Sequence, residues 1–156
     1  MTKTKGDVRL RAWRLFIQSH AYLVEVLNRE LKAAEDLPLT WYEVLLFLAR
    51  APERRLRMTE LAGSVLLSKS GLTRLVDRMV DAGLIERTTC PTDRRGVFVV
   101  LTDRGMEKFG AAAPVHLRGI EEHFMRHVTA GEAEALESAL TKIVESSPRR
   151  AGRPLS

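Results

Sequence analysis

At Gly83 the apolar residues change their spacing, from a helical repeat of about 3.6 to one of about 2. Ahead of that point Leu72, Leu75, Val76 and Met79 fall on one helix face. Behind it Leu84–Thr89 and Val97–Leu101 are β-rich runs, joined by Cys90-Pro91-Thr92-Asp93-Arg94-Arg95-Gly96. That joining segment is polar and holds the Pro and Gly of a hairpin loop. A short helix from Met58 to about Gly63 precedes, and Ser68 or Ser70 caps a second helix that runs to Ala82 with Gly83 as its left-handed terminator. The order is helix, turn, helix, two-stranded wing, which restricts the chain to a mostly α fold with a small β-wing.

The flanks are helical. From Val8 to about Ala34 nothing breaks the periodicity, and two apolar stripes run along the same helix. Val8, Ala12, Leu15, Leu23, Val26 and Leu27 form one; Leu10, Trp13, Ile17, Ala21 and Val24 form the other. Two stripes need two packing partners, and a second copy of the chain is the economical choice for one of them. Thr40 with Glu43 predicts a capping box opening a helix from Trp41 to about Arg50, closed by Ala51-Pro52. Thr102 or Asp103 caps a long helix to about Val128, with a kink expected near Pro114. A last helix spans about Glu132 to Ser146, and the basic tail 148–156 is expected to be disordered. The organisation is therefore an N-terminal dimerisation helix (1–38), a winged helix-turn-helix (39–104), C-terminal helices (105–147) and the tail.

Composition narrows the function. The 156 residues carry 25 Lys and Arg against 20 Asp and Glu, a formal +5 that draws the chain towards polyanions. The lone Cys90 excludes an intrachain disulfide framework or a zinc site built from several thiolates of one chain, and fits a reducing cytoplasm. The N-terminus shows no apolar run of signal-peptide length, and no stretch is long and uncharged enough for a membrane span. There is no G-x-S-x-G, P-loop or CxxC motif, so neither catalysis nor a cofactor is expected.

A helix fits the DNA major groove while a wing loop reaches the minor groove beside it, so double-stranded DNA is the expected partner. With Leu72, Leu75, Val76 and Met79 turned inward, Ser70, Thr73, Arg74 and Asp77 form the opposite, reading edge. Hydroxyls at Ser68, Ser70 and Thr73, with Lys69 beside them, suit phosphates or bases near the helix N-terminus, and Arg74 suits bidentate reading of guanine. Residues 53–104 hold ten Lys or Arg against seven Asp or Glu, and Arg94 and Arg95 sit at the hairpin tip, where no core needs them.

Leu61-Ala62, Ser68 through Arg78, Ala82-Gly83-Leu84-Ile85-Glu86-Arg87, Asp93-Arg94-Arg95 and Leu101-Thr102-Asp103-Arg104-Gly105 together resemble the MarR family of transcription regulators. The resemblance implies a winged-helix homodimer joined through its terminal helices, bound to a palindromic operator and usually acting as a repressor relieved by a small ligand or an oxidant. It also implies that Arg95 enters the minor groove and that Asp93 holds an arginine, with Arg78 as a candidate partner. Asp93 equally suits a simple turn position.

Family members often bind aromatic acids between the dimer helices and the DNA-binding lobe, which makes Trp13, His20, Trp41 and Tyr42 effector candidates; core packing is the alternative for each. Cys90 lies at the wing loop, away from the family's sensor position, and is expected to be an incidental thiol. His116, His123 and His127 share one face if their helix is continuous, and the His123–His127 spacing suits zinc, although solvated histidines are the expected reading. A metal-responsive regulator, or a protein-interaction module on the same fold, stays as the alternative.

Overall fold

The computed structural model describes residues 6–65, 69–89, 92 and 96–147, and of Lys69 its backbone. Six helices and a three-stranded antiparallel sheet follow one another as α1 (Val8–Glu35), α2 (Leu39–Arg50), β1 (Arg55–Arg57), α3 (Met58–Ser64), α4 (Lys69–Asp81), β2 (Ile85–Thr89), β3 (Val97–Leu101), α5 (Asp103–His123) and α6 (Ala130–Glu145). The expected tail and the sequence's Ser68, Cys90, Asp93, Arg94 and Arg95 lie outside the described residues.

The core lies where α2, α3, α4 and the sheet meet the C-terminal end of α1. Leu31, Leu45, Leu48, Leu61, Leu72, Met79, Ile85 and Val99 are fully buried there. Asp36 ends α1 in a left-handed conformation (φ 49°), its N–H returned to Lys32 O. The expected capping box at Thr40 is not what opens α2. The helix starts earlier, at Leu39 after Pro38, and Asn28 of α1 supplies the cap by accepting the Leu39 N–H at 3.0 Å.

The sheet has order β1-β3-β2. Strand β1 has no counterpart in the sequence reading. It puts Leu56 opposite Val99 and Arg57 opposite Phe98, so the segment before α3 is tied to the wing. Gly83 ends α4 with φ 74°, as its residue type allows, and β2 then pairs along β3 from Ile85↔Leu101 to Thr89↔Val97. Thr102 joins the two halves of the lobe: its hydroxyl donates to Gly83 O at 2.7 Å and accepts the Gly105 N–H at 3.0 Å, capping α5.

Helix α5 runs on through Pro114 but ends at His123, short of the expected Val128. Phe124 leaves helical geometry (φ −124°, ψ −62°) and Met125–His127 form a 3-10 turn. His127 therefore leaves the face that one continuous helix would have given it with His116 and His123. Helix α6 begins two residues before the expected Glu132, with Thr129 and Glu132 forming its capping box.

The first apolar stripe of α1 is buried only at its C-terminal end, where Val26 packs inward; Val8 and Leu15 are 66% and 62% exposed. The second stripe is exposed as well, including Trp13 at 58% and Ile17 at 44%. Helix α6 has no buried residue. The N-terminal turns of α1 and most of α6 thus extend beyond what the described residues cover.

His116 is half-buried against Tyr42, ring centroids 4.5 Å apart, with no hydrogen-bond partner for its Nδ1. Burial holds its imidazole pKa below the ordinary 6.5. The unfolded chain takes up that proton first as the pH falls, so the stability contributed by neutral His116 is present above about pH 6.5 and is lost as pH drops towards the depressed folded value. Denaturant midpoints should decline below about pH 6.5, and His116→Phe, which keeps the ring packing, should flatten that decline. An unchanged pH profile in the variant would refute the assignment.

Candidate nucleic-acid interface

Helix α4 divides into two faces. Leu72, Leu75, Val76 and Met79 are at most 3% exposed and seat the helix on the core. Ser70, Thr73, Arg74, Asp77 and Arg78 are exposed on the other side, and Lys69 is the first residue of the helix. The buried i, i+3, i+4, i+7 pattern leaves the polar face no freedom to turn inward, so its orientation follows from packing alone.

Asp77 is not isolated on that face. It pairs with Arg87 of β2, and both side chains are partly exposed. Alternation along β2 explains the meeting: Ile85 points into the core, so Arg87, two residues on and opposite the buried Val99, lies on the sheet face turned towards α4. The sequence reading passed over Arg87 as a partner for this helix; the period of 2 from Ile85 was the signal available. An exposed pair of this kind contributes at most about 1 kcal/mol to folding.

The opposite face of the sheet carries a second basic group that the sequence reading missed. The Arg55 and Arg57 guanidiniums lie 5.1 and 5.4 Å from the centre of the Phe98 ring. Arg55 also pairs with Glu53, so this face is not a bare positive patch.

The four effector candidates do not come together. Tyr42 is a core residue, 3% exposed, and stacks on Phe109 at 5.6 Å between ring centres. Trp13 stands on the uncovered part of α1, 6.3 Å from Phe16. His20 is exposed and faces Glu43, whose carboxyl is pushed up by burial and partly drawn back by the His20 charge. Trp41 lines a cleft of about 730 Å³ between the α1–α2 corner, the end of α4 and the start of α5, together with Lys32, Arg104 and Lys108. Lys108 is held there by Glu35, at 3.6 Å from its carboxylate.

Among the histidines, His123 Nε2 lies 2.6 Å from Glu30 Oε1 and its Nδ1 lies 3.4 Å from the Tyr22 hydroxyl, while His116 faces Tyr42. Among the described residues no three His, Cys, Asp or Glu side chains gather to hold a metal ion, and no helix is long and apolar enough to cross a membrane.

A buried-face helix following a short helix, with an antiparallel wing behind it, defines a winged helix-turn-helix lobe. A family model described as MarR family matches residues 35–96. Sco3205, a MarR family transcriptional regulator from Streptomyces coelicolor solved in complex with DNA, is 33% identical with a TM-score of 0.85, over 94% of this chain and 92% of that one. AbsC, another MarR family regulator of that organism, is 34% identical with a TM-score of 0.84, over 89% of this chain and 93% of that one. The multiple antibiotic resistance protein MarR of Escherichia coli strain K12 is 34% identical over 73 residues, 47% of this chain and 51% of that protein. Of this relative and its Salmonella counterparts the chain spans about half the length. The chain belongs to the MarR family, a family of transcription regulators and not of enzymes.

Proposed function

We propose that the chain is a cytoplasmic, homodimeric repressor that binds a pseudo-palindromic DNA operator and is released by a small effector. Residues 1–38 and 105–147 serve as dimerisation helices around the DNA-binding lobe 39–104. Each α4 lies in the major groove of one half-site, where Arg74 reads guanine and Ser68, Lys69, Ser70, Thr73 and Arg78 contact bases or phosphates. From the resemblance of the wing motif, Arg95 enters the adjacent minor groove; its sequence neighbour Arg94, by its charge, faces phosphate.

The observation that carries this reading is the exposed polar face of α4, locked outward by its four buried apolar residues and set beside the wing. The cleft at Trp41 is the proposed effector site: an aromatic wall with Lys32 and Arg104 beside it suits an aromatic acid.

Selection of bound duplexes from a random pool tests the reading. It should return a pseudo-palindrome whose half-site centres lie about 10 bp apart. Affinity for that duplex should fall about 10³ to 10⁵-fold between about 50 and 200 mM salt if roughly 6 to 10 phosphates are neutralised. Arg74→Ala should relax preference at one base step per half-site, at about 1 to 3 kcal/mol. Recovery of no consensus, or a flat salt response, would refute operator binding.

A further inference from the structure

We propose that Arg87 is a positioning residue for DNA binding, which acts by holding the Asp77 carboxylate of the recognition helix in an ion pair and so keeping an uncompensated negative charge off the DNA-facing surface. The inference rests on the operator-binding reading above and adds to it a residue that lies on the wing strand, outside the reading helix.

Asp77 occupies the same exposed face as Thr73 and Arg74, one turn further along α4. An acid there meets a duplex that carries one negative charge per about 1.7 Å of its axis. Left alone, that carboxylate would offset a neighbouring cation such as Arg74. It pairs instead with Arg87, which β2 presents from the side. The Arg87 backbone is fixed by its position opposite Val99 at the core of the sheet. The other charge on this stretch of β2, Glu86, alternates to the opposite face of the strand and does not compete for the guanidinium. The pair also spans from the recognition helix to the strand that leads into the wing loop, so it ties the two reading elements to one another at the surface where both would meet DNA.

The expected size follows from counterion release. Observed affinity scales as salt to the power of about −0.9 per neutralised phosphate, so one net charge at the interface is worth roughly eightfold at about 0.1 M salt. Arg87→Ala should therefore weaken binding to a duplex selected by the wild-type protein by roughly eightfold at about 0.1 M salt. Asp77→Asn placed in the Arg87→Ala background should restore most of that loss, because it removes the charge that Arg87 holds. Arg87→Lys, which keeps the charge, should stay within about twofold of wild type. Both positions are at the surface, so melting temperatures should move by no more than about 4 °C, and recovery of binding in the double variant itself reports a folded protein.

If Arg87→Ala loses affinity and the double variant does not recover it, Arg87 contacts phosphate directly and the inference is overturned. An Arg87→Ala variant that binds as well as wild type overturns it too. A wild-type chain that selects no DNA would instead remove the operator-binding reading on which it stands.

Discussion

Sedimentation of the purified chain at micromolar concentration should give twice the 17.6 kDa mass of one subunit, and the Trp13→Asp, Ile17→Asp double variant should give the mass of one. The expectation comes from the uncovered surface of α1. Val8, Leu10, Trp13, Leu15, Phe16 and Ile17 are all at least 41% exposed along one helix, and Leu136 and Ile143 of α6 are exposed as well. A lone folded chain rarely leaves so many large apolar side chains in water without a partner for them. Burying one such side chain is worth about 1.5 to 3 kcal/mol, and a symmetric interface loses two from each subunit, so the four cost about 6 to 12 kcal/mol, a shift in dimer dissociation constant of about 10⁴ to 10⁹-fold before the cost of desolvating the new carboxylates. The secondary structure should survive, because neither residue belongs to the buried core. A wild-type monomer at tens of micromolar, or a double variant that still sediments as a dimer, would show that this face has another purpose.

The largest loss of folding stability from a single added methyl is expected at Gly105. A Cβ there would sit 2.0 Å from the Leu84 carbonyl oxygen and 2.7 Å from Leu101 Cδ1. The first obstacle is backbone, held between the end of α4 and β2, and it accepts the Thr102 N–H at 3.2 Å. It cannot rotate away as a side-chain tip would. Gly105→Ala should therefore cost about 3 kcal/mol, the upper range of overpacking substitutions, and lower the melting temperature by about 6 to 12 °C. Ala at Gly110, where nothing lies within 4 Å of the added atom, is the control and should be neutral or slightly stabilising for a helix. A Gly105→Ala variant that melts with the wild type would mean that α5 can slide along the sheet.

Elements written in local periodicity were legible in the sequence, and those made by distant partners were not. The extent of α1, the buried face of α4, the Gly83 stop and the β2–β3 hairpin each follow from residues within a few positions of one another. Strand β1 offers only Arg55-Leu56-Arg57, one apolar residue between two charges, and is a strand because β3 pairs with it. The start of α2 was misplaced because its cap, Asn28, reaches across from another helix. The end of α5 carries no glycine or proline at Phe124 to announce the break, so the histidine face was drawn four residues too far, to His127. At the candidate interface, the exposure of Ser70, Thr73, Arg74 and Asp77 was readable from helix phase alone. The partner of Asp77 was not, because Arg87 belongs to a strand whose placement against α4 is a tertiary fact.

The Thr102 hydroxyl has a mechanical consequence. By holding Gly83 O and the Gly105 N–H together, it fastens the end of α4 to the first turn of α5, so a swing of one drags on the other. In the homodimer proposed above, joined at its distal ends, each α5 would behave as the arm of a pair of callipers and each α4 as its jaw. The gap between the jaws would be set by the tilt of the arms, far from any base contact. A ligand that tilts α5 by a small angle would change that gap without touching a single reading residue, and the duplex would be released by misfit.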